Sequence, residues 1–246
     1  MTDVPTQNDQ LFLISGESAT GKSASLRHLM GGPRVMYLNC ESGKKLPFRN
    51  DFTGMTVTDP YQIFEAFEHV DDKGAGEFDV IVIDTLTFLM DMFESIHVID
   101  SADTMKGWSK YQQFFKKLMQ KYVASCPLPV IFTAHTRSEL NEAKMIMETA
   151  VPVKGALKNN GIEAYFSTVV SSKKMSLKSL EKYKSKLLNI TEEDEALGFK
   201  YVFQTRLTKE TVGERIRSPM GMFSAAETYT DNDAQLLLDH LRSFYA

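Results

Sequence analysis

The feature that most constrains this chain is one octapeptide, Gly16-Glu17-Ser18-Ala19-Thr20-Gly21-Lys22-Ser23. It fits G-x-x-x-x-G-K-[ST], the pattern of a loop that cradles phosphate groups. Its flanks fit as well. Leu11-Phe12-Leu13-Ile14 reads as a buried strand, and Ser25 to Met30 reads as a helix that stops at Gly31-Gly32-Pro33. The glycines let the backbone curl so that N–H groups converge on phosphate oxygens, and the helix N-terminus adds partial positive charge. Residues Gly16, Glu17, Ser18, Ala19, Thr20, Gly21, Lys22, Ser23 and Ala24 are therefore expected to hold a nucleotide, ATP. Lys22 reaches its terminal phosphates and Ser23 ligates Mg²⁺.

Behind the loop, strand and helix signals alternate. Val35–Asn39 reads as a strand, Met55–Thr58 as a short one, Pro60–Val70 as a helix. Phe78–Asp84 is apolar throughout, as a parallel strand covered on both faces should be. Leu86–Ile96 and Trp108–Ala124 read as helices, and Leu128–Ala134 as the next strand. This order predicts an α/β fold, a mostly parallel central sheet flanked by helices. From about Ala164 the pattern turns β-rich, with Tyr165–Val170 and Phe199–Thr205 read as added antiparallel strands and no helix expected between them. The stretch 173–197 is charge-segregated: Lys173–Lys186 holds six lysines and one glutamate, and Glu192-Glu193-Asp194-Glu195 is acidic. Such blocks are read as a solvated insertion or hairpin. Residues 231–245 read as a C-terminal helix, and the 246 residues as a single domain.

With 43% apolar residues the chain can bury a large core, and at net charge −4 any nucleic-acid contact must come from a local basic surface. Cys40 and Cys126 are too few for a disulfide framework and suit a reducing cytoplasm. The polar start, Met1–Gln10, carries no signal segment, and no run has the length of a membrane span, so no membrane association is expected.

Several polar residues fall at strand ends, on the sheet edge where ligands bind. Asp84 can order Mg²⁺ through its water shell, or cap the helix that follows. Glu41 can polarise the water that attacks the γ-phosphate, or be an exposed loop glutamate. His135 can contact the γ-phosphate and report hydrolysis to the segment behind it, or merely cap its strand. Arg215 and Arg217 flank Ile216 and can present one cationic face to a phosphate of their own or a neighbouring subunit, or form a solvated basic edge, with Lys209 as a competitor. Lys22 is the one cation these motifs place at the γ-phosphate within the same chain.

The order of these motifs resembles the RecA-type P-loop ATPase core from about Gln10 to Phe223. The matching residues are the phosphate loop, Tyr37-Leu38-Asn39-Cys40-Glu41, Val80-Ile81-Val82-Ile83-Asp84-Thr85 and Phe132-Thr133-Ala134-His135. A histidine in this Thr-Ala-His setting is most similar to the small phage-encoded RecA-like proteins of single-strand annealing. The resemblance implies a RecA-like P-loop NTPase fold, catalytic roles for Glu41, Lys22, His135, Arg215 and Arg217, and metal binding by Ser23 and Asp84. It implies Mg²⁺-dependent ATP hydrolysis, single-stranded DNA as partner, and a homo-oligomer, ring or filament. A single-strand-binding protein partner and a host-cytoplasm location follow from the same resemblance. By analogy Thr136–Lys154 is a disordered DNA-binding loop, served by Lys144, Lys154 and Lys158. The equivalent of a first DNA loop, near Ile96–Gly107, is acidic, with Asp100 and Asp103 against Lys106. A replicative helicase or helicase loader, a small-molecule kinase and a non-catalytic nucleotide-gated scaffold are the competing readings.

Overall fold

The computed structural model describes residues 8–73 and 76–246, so most of the polar start lies outside the described residues. Strand β1 (Leu11–Gly16) sits inside an eight-stranded sheet with β2 (Val35–Asn39), β3 (Thr53–Thr56), β4 (Val80–Asp84) and β5 (Val130–His135) on one side. On its other side lie β8 (Thr168–Ser176), β9 (Phe199–Gln204) and β10 (Tyr229–Asp231). The order across the sheet is β10-β9-β8-β1-β5-β4-β2-β3. Every pairing from β8 to β3 is parallel, and β8–β9 and β9–β10 are antiparallel. This is the expected α/β architecture, a mostly parallel sheet extended by antiparallel strands.

Alternation along the central strands divides the core in two. Leu11, Leu13, Ile81, Ile83, Val130 and Phe132 face one side. There they pack against α1 (Gln62–Lys73), α2 (Leu86–Glu94) and α3 (Thr104–Lys117). Phe12, Ile14, Val35, Val82 and Ile131 face the other, against Leu26 and Leu29 of the phosphate-loop helix and Leu237, Leu238 and Leu241 of the C-terminal helix. Because both faces are covered, β1, β2 and β4 are buried at every residue. Helix starts follow capping chemistry. Thr85 caps α2 through Phe88 N, and Asp103 caps α3 through Lys106 N. Both helices run on as π-helical turns, Ser95–Ile99 and Leu118–Val123, so they end later than an α-helical count gives.

Four expectations change. The strand read at Tyr165–Val170 runs from Thr168 to Ser176, and it joins β1 in parallel and β9 antiparallel, while Tyr165 ends a 3₁₀ turn. The third strand is Thr53–Thr56, not Met55–Thr58. The segment after His135 is an ordered two-stranded sheet, not a disordered loop: β6 (Arg137–Asn141) pairs antiparallel with β7 (Ile146–Ala150). Cross-strand bonds stabilise it, including Ser138 Oγ to Thr149 Oγ1 at 2.9 Å. The charged stretch is also structured. After the short α4 (Leu157–Asn160), Lys173–Ser176 complete β8, and α5 (Leu177–Leu180) and α6 (Glu192–Leu197) fill the connection to β9. The acidic block is the first turn of α6, where carboxylates suit the positive helix end; Thr191 and Asp194 form a capping box. The final helix, α7 (Ala234–Tyr245), starts after β10 and is capped by Asp233.

Phe132 is fully buried and meets Phe166 edge-on at 5.3 Å. Phe132→Ala is expected to lower unfolding free energy by about 3–5 kcal/mol, read as a fall in the urea midpoint without a change in slope.

Candidate nucleotide-binding site

The parallel strands bring four chain segments to one edge. The register pairs Gly16 with His135 and Asn39 with Asp84. The phosphate loop leaves β1 at Gly16, where a Cβ would lie 2.6 Å from the Ser172 carbonyl oxygen. Only glycine fits there. The loop then turns through left-handed residues, Ala19 at φ 60° and Gly21 at φ 94°. Thr20 Oγ1 donates to Glu17 O at 2.9 Å, and Ser25 N donates to Gly21 O at 2.9 Å, opening a 3₁₀ helix over Ser23–His28. A second layer holds the loop from behind: Ser172 Oγ donates to Thr20 O at 2.7 Å, and Asn232 Nδ2 donates to Ser172 Oγ at 2.8 Å. Arg27 donates to Asn232 O, and His28 Nδ1 lies 2.5 Å from Asp233 Oδ2, tying the start of α7 to the loop helix.

Lys22 is 5% exposed, its ammonium turned back over its own loop. It donates to Gly16 O at 3.0 Å and Glu17 O at 2.7 Å, and lies 3.3 Å from His135 Nδ1. Burial pushes its pKa down to about 8, against the opposing pull of Asp84 and Glu41. Burial, then the Lys22 charge, also lower the His135 pKa, so the imidazole is neutral at neutral pH. With an ammonium at Nδ1, that nitrogen accepts and Nε2 carries the proton. Nε2 lies 3.4 Å from Glu41 Oε1. The other Glu41 oxygen accepts from Lys44 Nζ at 2.9 Å. Lys22, His135, Glu41 and Lys44 thus form one continuous polar chain.

Asp84 is 2% exposed at the end of β4. Its Oδ2 accepts from the Tyr37 hydroxyl at 2.8 Å and its Oδ1 from the Thr133 hydroxyl. Burial and the Asp84 charge push the Tyr37 hydroxyl pKa far up, so it stays a donor. The helix cap after β4 is Thr85, which removes that alternative role from Asp84. Glu41 is no exposed loop residue either: its side chain is 9% exposed and lines the cleft.

The cleft is lined by Ser18, Lys22, Ser23, Asp84, Glu41 and His135 among others, so the expected residues meet in one place. The loop chemistry fits a polyphosphate: a buried ammonium held only by backbone carbonyls and a neutral imidazole gains from an anion. Among the described residues no group of three or more histidine, cysteine or acidic side chains is placed to hold a metal by itself. Ser23 and Asp84 line the cleft together and would hold a Mg²⁺ brought by the phosphates, with Asp84 kept in place by Tyr37 and Thr133.

Lys44 and Lys45 line the same cleft, which corrects the expectation of Lys22 as the one cation in cis. Their signal in sequence is weak, two lysines in a loop. Tyr37 and Thr133 stand in the matching motifs without a role of their own, and Ser172 and Asn232 carry no local signal, because only the sheet order brings these segments together. Arg215 and Arg217 do not line this cleft. Arg215 Nη1 lies 3.3 Å from Glu163 Oε2 and bonds Asn160 O. Arg217 pairs its backbone with Val169 and is exposed in a separate groove with Arg206 and Met220. Lys209 begins a 3₁₀ turn. Lys144 and Lys154 are paired with Glu148 and Glu94.

This fold and this edge define a P-loop nucleoside-triphosphatase domain. Residues 8–197 match the family described as AAA domain, and the chain belongs to that family. No curated protein matches it. Among the described residues no helix is long and apolar enough to cross a membrane.

The lowered Lys22 pKa sets a pH dependence. Below about pH 8 the ammonium is charged with or without ligand, and affinity is flat with respect to this group. Above it the free protein loses the proton, whereas a bound triphosphate restores it, so binding takes up a proton. ATP affinity should fall by up to about tenfold per pH unit above pH 8, and calorimetry at pH 9 in buffers of different ionisation enthalpy should register the uptake.

Proposed function

We propose that this protein is a Mg²⁺-dependent ATPase of RecA-like organisation that acts on single-stranded DNA in recombination or annealing. The observation that carries the hydrolytic part is the chain from Lys22 through His135 to Glu41, closed by Lys44. A nucleotide-gated scaffold needs the phosphate loop but no nearly buried carboxylate beside the sensor. Glu41 accepts a proton from the attacking water as its oxygen bonds the γ-phosphorus and the bond to the leaving ADP oxygen breaks. Lys22 neutralises phosphate charge, and Asp84, oriented by Tyr37 and Thr133, orders the metal's waters. Bound Mg²⁺ supplies charge neutralisation on the phosphates.

The DNA part rests on two features. The β6–β7 arm follows His135 directly in the chain and β6 is largely exposed, which gives a change at His135 a route to a solvent-facing surface. The β8–β9 face carries Lys174 with its ammonium 3.9 Å from the Phe199 ring centre, and Tyr201 at 39% exposure. Basic side chains beside exposed rings suit a sequence-tolerant single strand. Within an oligomer Arg217, exposed and outside its own cleft, is the better candidate to reach a neighbour, since Arg215 is held by Glu163.

Glu41→Gln should retain ATP binding and lose about 10²-fold or more in phosphate release. Wild-type turnover should rise with single-stranded DNA, and its DNA affinity should fall steeply with salt. Normal turnover in Glu41→Gln refutes the base; salt-insensitive or absent DNA binding refutes the DNA assignment.

A further inference from the structure

We infer that Lys44 is the triphosphate-sensing cation of this site, held in reserve on Glu41 until a γ-phosphate takes it over. The inference rests on the nucleotide reading above and adds a residue to it.

The loop after β2 is built to hold Glu41 and Lys44 together. Asn39, 7% exposed, accepts from Glu41 N at 2.9 Å through Oδ1 and donates to Lys44 O at 2.8 Å through Nδ2. Lys44 N donates to Glu41 O at 3.1 Å. The turn between them runs through Ser42 at φ 54° and Gly43 at φ 77°. A serine in the left-handed region is uncommon, and Asn39 bonds both ends of the turn that requires it. The backbone of the pair is therefore fixed, and the mobile parts are the side chains.

Those side chains differ sharply. Glu41 is 9% exposed and Lys44 71% exposed, yet their charged ends meet at 2.9 Å. The lysine stem reaches in from solvent. An ion pair with one partner so exposed contributes little stability, so breaking it costs little. Lys44 lines the cleft together with Ser18, Lys22 and Ser23, which puts it in the same cleft as the phosphate loop. A terminal phosphate bears more negative charge than a carboxylate and offers three oxygens, so it competes for the ammonium.

The exchange has a consequence for Glu41. With Lys44 on Oε2 and the His135 Nε2 side on Oε1, both carboxylate oxygens are engaged, a poor state for a proton acceptor. Transfer of Lys44 to the γ-phosphate frees Oε2. The base is then released only when a triphosphate is present, and ADP leaves Lys44 where it is. Lys22 serves a different end: its ammonium is turned back over its own loop, bonded to Gly16 O and Glu17 O, where either nucleotide would meet it.

The test compares affinities for a slowly hydrolysed ATP analogue and for ADP, by calorimetry with Mg²⁺. In Lys44→Ala the analogue should bind about tenfold or more weakly and ADP within about twofold of wild type. Lys44→Arg should recover most of the analogue affinity. A second readout uses the unaltered protein: acylation of Lys44 by an amine-reactive ester, followed by mass spectrometry with exposed Lys178 as internal standard. The analogue should protect Lys44, and ADP should not. Equal weakening of both nucleotides, no weakening of either, or equal protection by ADP overturns the role of Lys44 and leaves the nucleotide site standing. A folded wild type that binds neither nucleotide overturns both.

Discussion

The rest of the site depends on one buried ammonium. Lys22 is almost wholly withdrawn from water, and burial of a lone cation is expensive. The chain offsets that cost with two loop carbonyls, an imidazole lone pair, and the nearby charges of Asp84 and Glu41. None of these partners satisfies a cation as a polyphosphate does. A buried lysine with such partners suits an anion site, and the carboxylates of Asp84 and Glu41 lie close enough to favour its charge.

Position at this edge is a matter of sheet geometry. Gly16 faces His135, and Asn39 faces Asp84, because β1 pairs with β5 and β2 with β4 in a fixed parallel register. A slip by one residue would turn Leu13 and Phe12 to the wrong halves of the core, so the two-sided packing locks the register that aligns the site. The antiparallel strands add support from the other flank. Ser172 on β8 and Asn232 after β10 hold the loop from outside, so the C-terminal third of the chain is part of the phosphate site's scaffold. Arg27 and His28 complete that link from the loop helix to α7.

Two segments show how tertiary context overrides an expectation. Residues 136–154, with three glutamates against two lysines and an arginine, are a disordered loop by family resemblance. They pair as β6 and β7, and Thr149 also bridges to Glu214. The lysine-rich stretch likewise reads as solvated, yet its first residues extend β8, with Lys173 held by Glu214. In both cases the partner strand is distant in sequence or unrecognisable from local pattern.

The sequence by itself determined the phosphate loop, the parallel strands and their order with the helices, and the candidate set Lys22, Ser23, Glu41, Asp84 and His135. These were legible because each is a local signal: glycine spacing in a tight turn, an unbroken apolar run, a polar residue where that run stops. Only the tertiary structure decided that Glu41 is nearly buried, that Thr85 and not Asp84 caps α2, and that His135 bridges Lys22 to Glu41. It alone put Lys44 in the cleft and kept Arg215 and Arg217 out of it. The physical reason is range. Turn and periodicity signals act over a few residues, whereas the hydrogen bonds that orient this site join segments as far as 205 residues apart, fixed by sheet register and not by any neighbour in the chain.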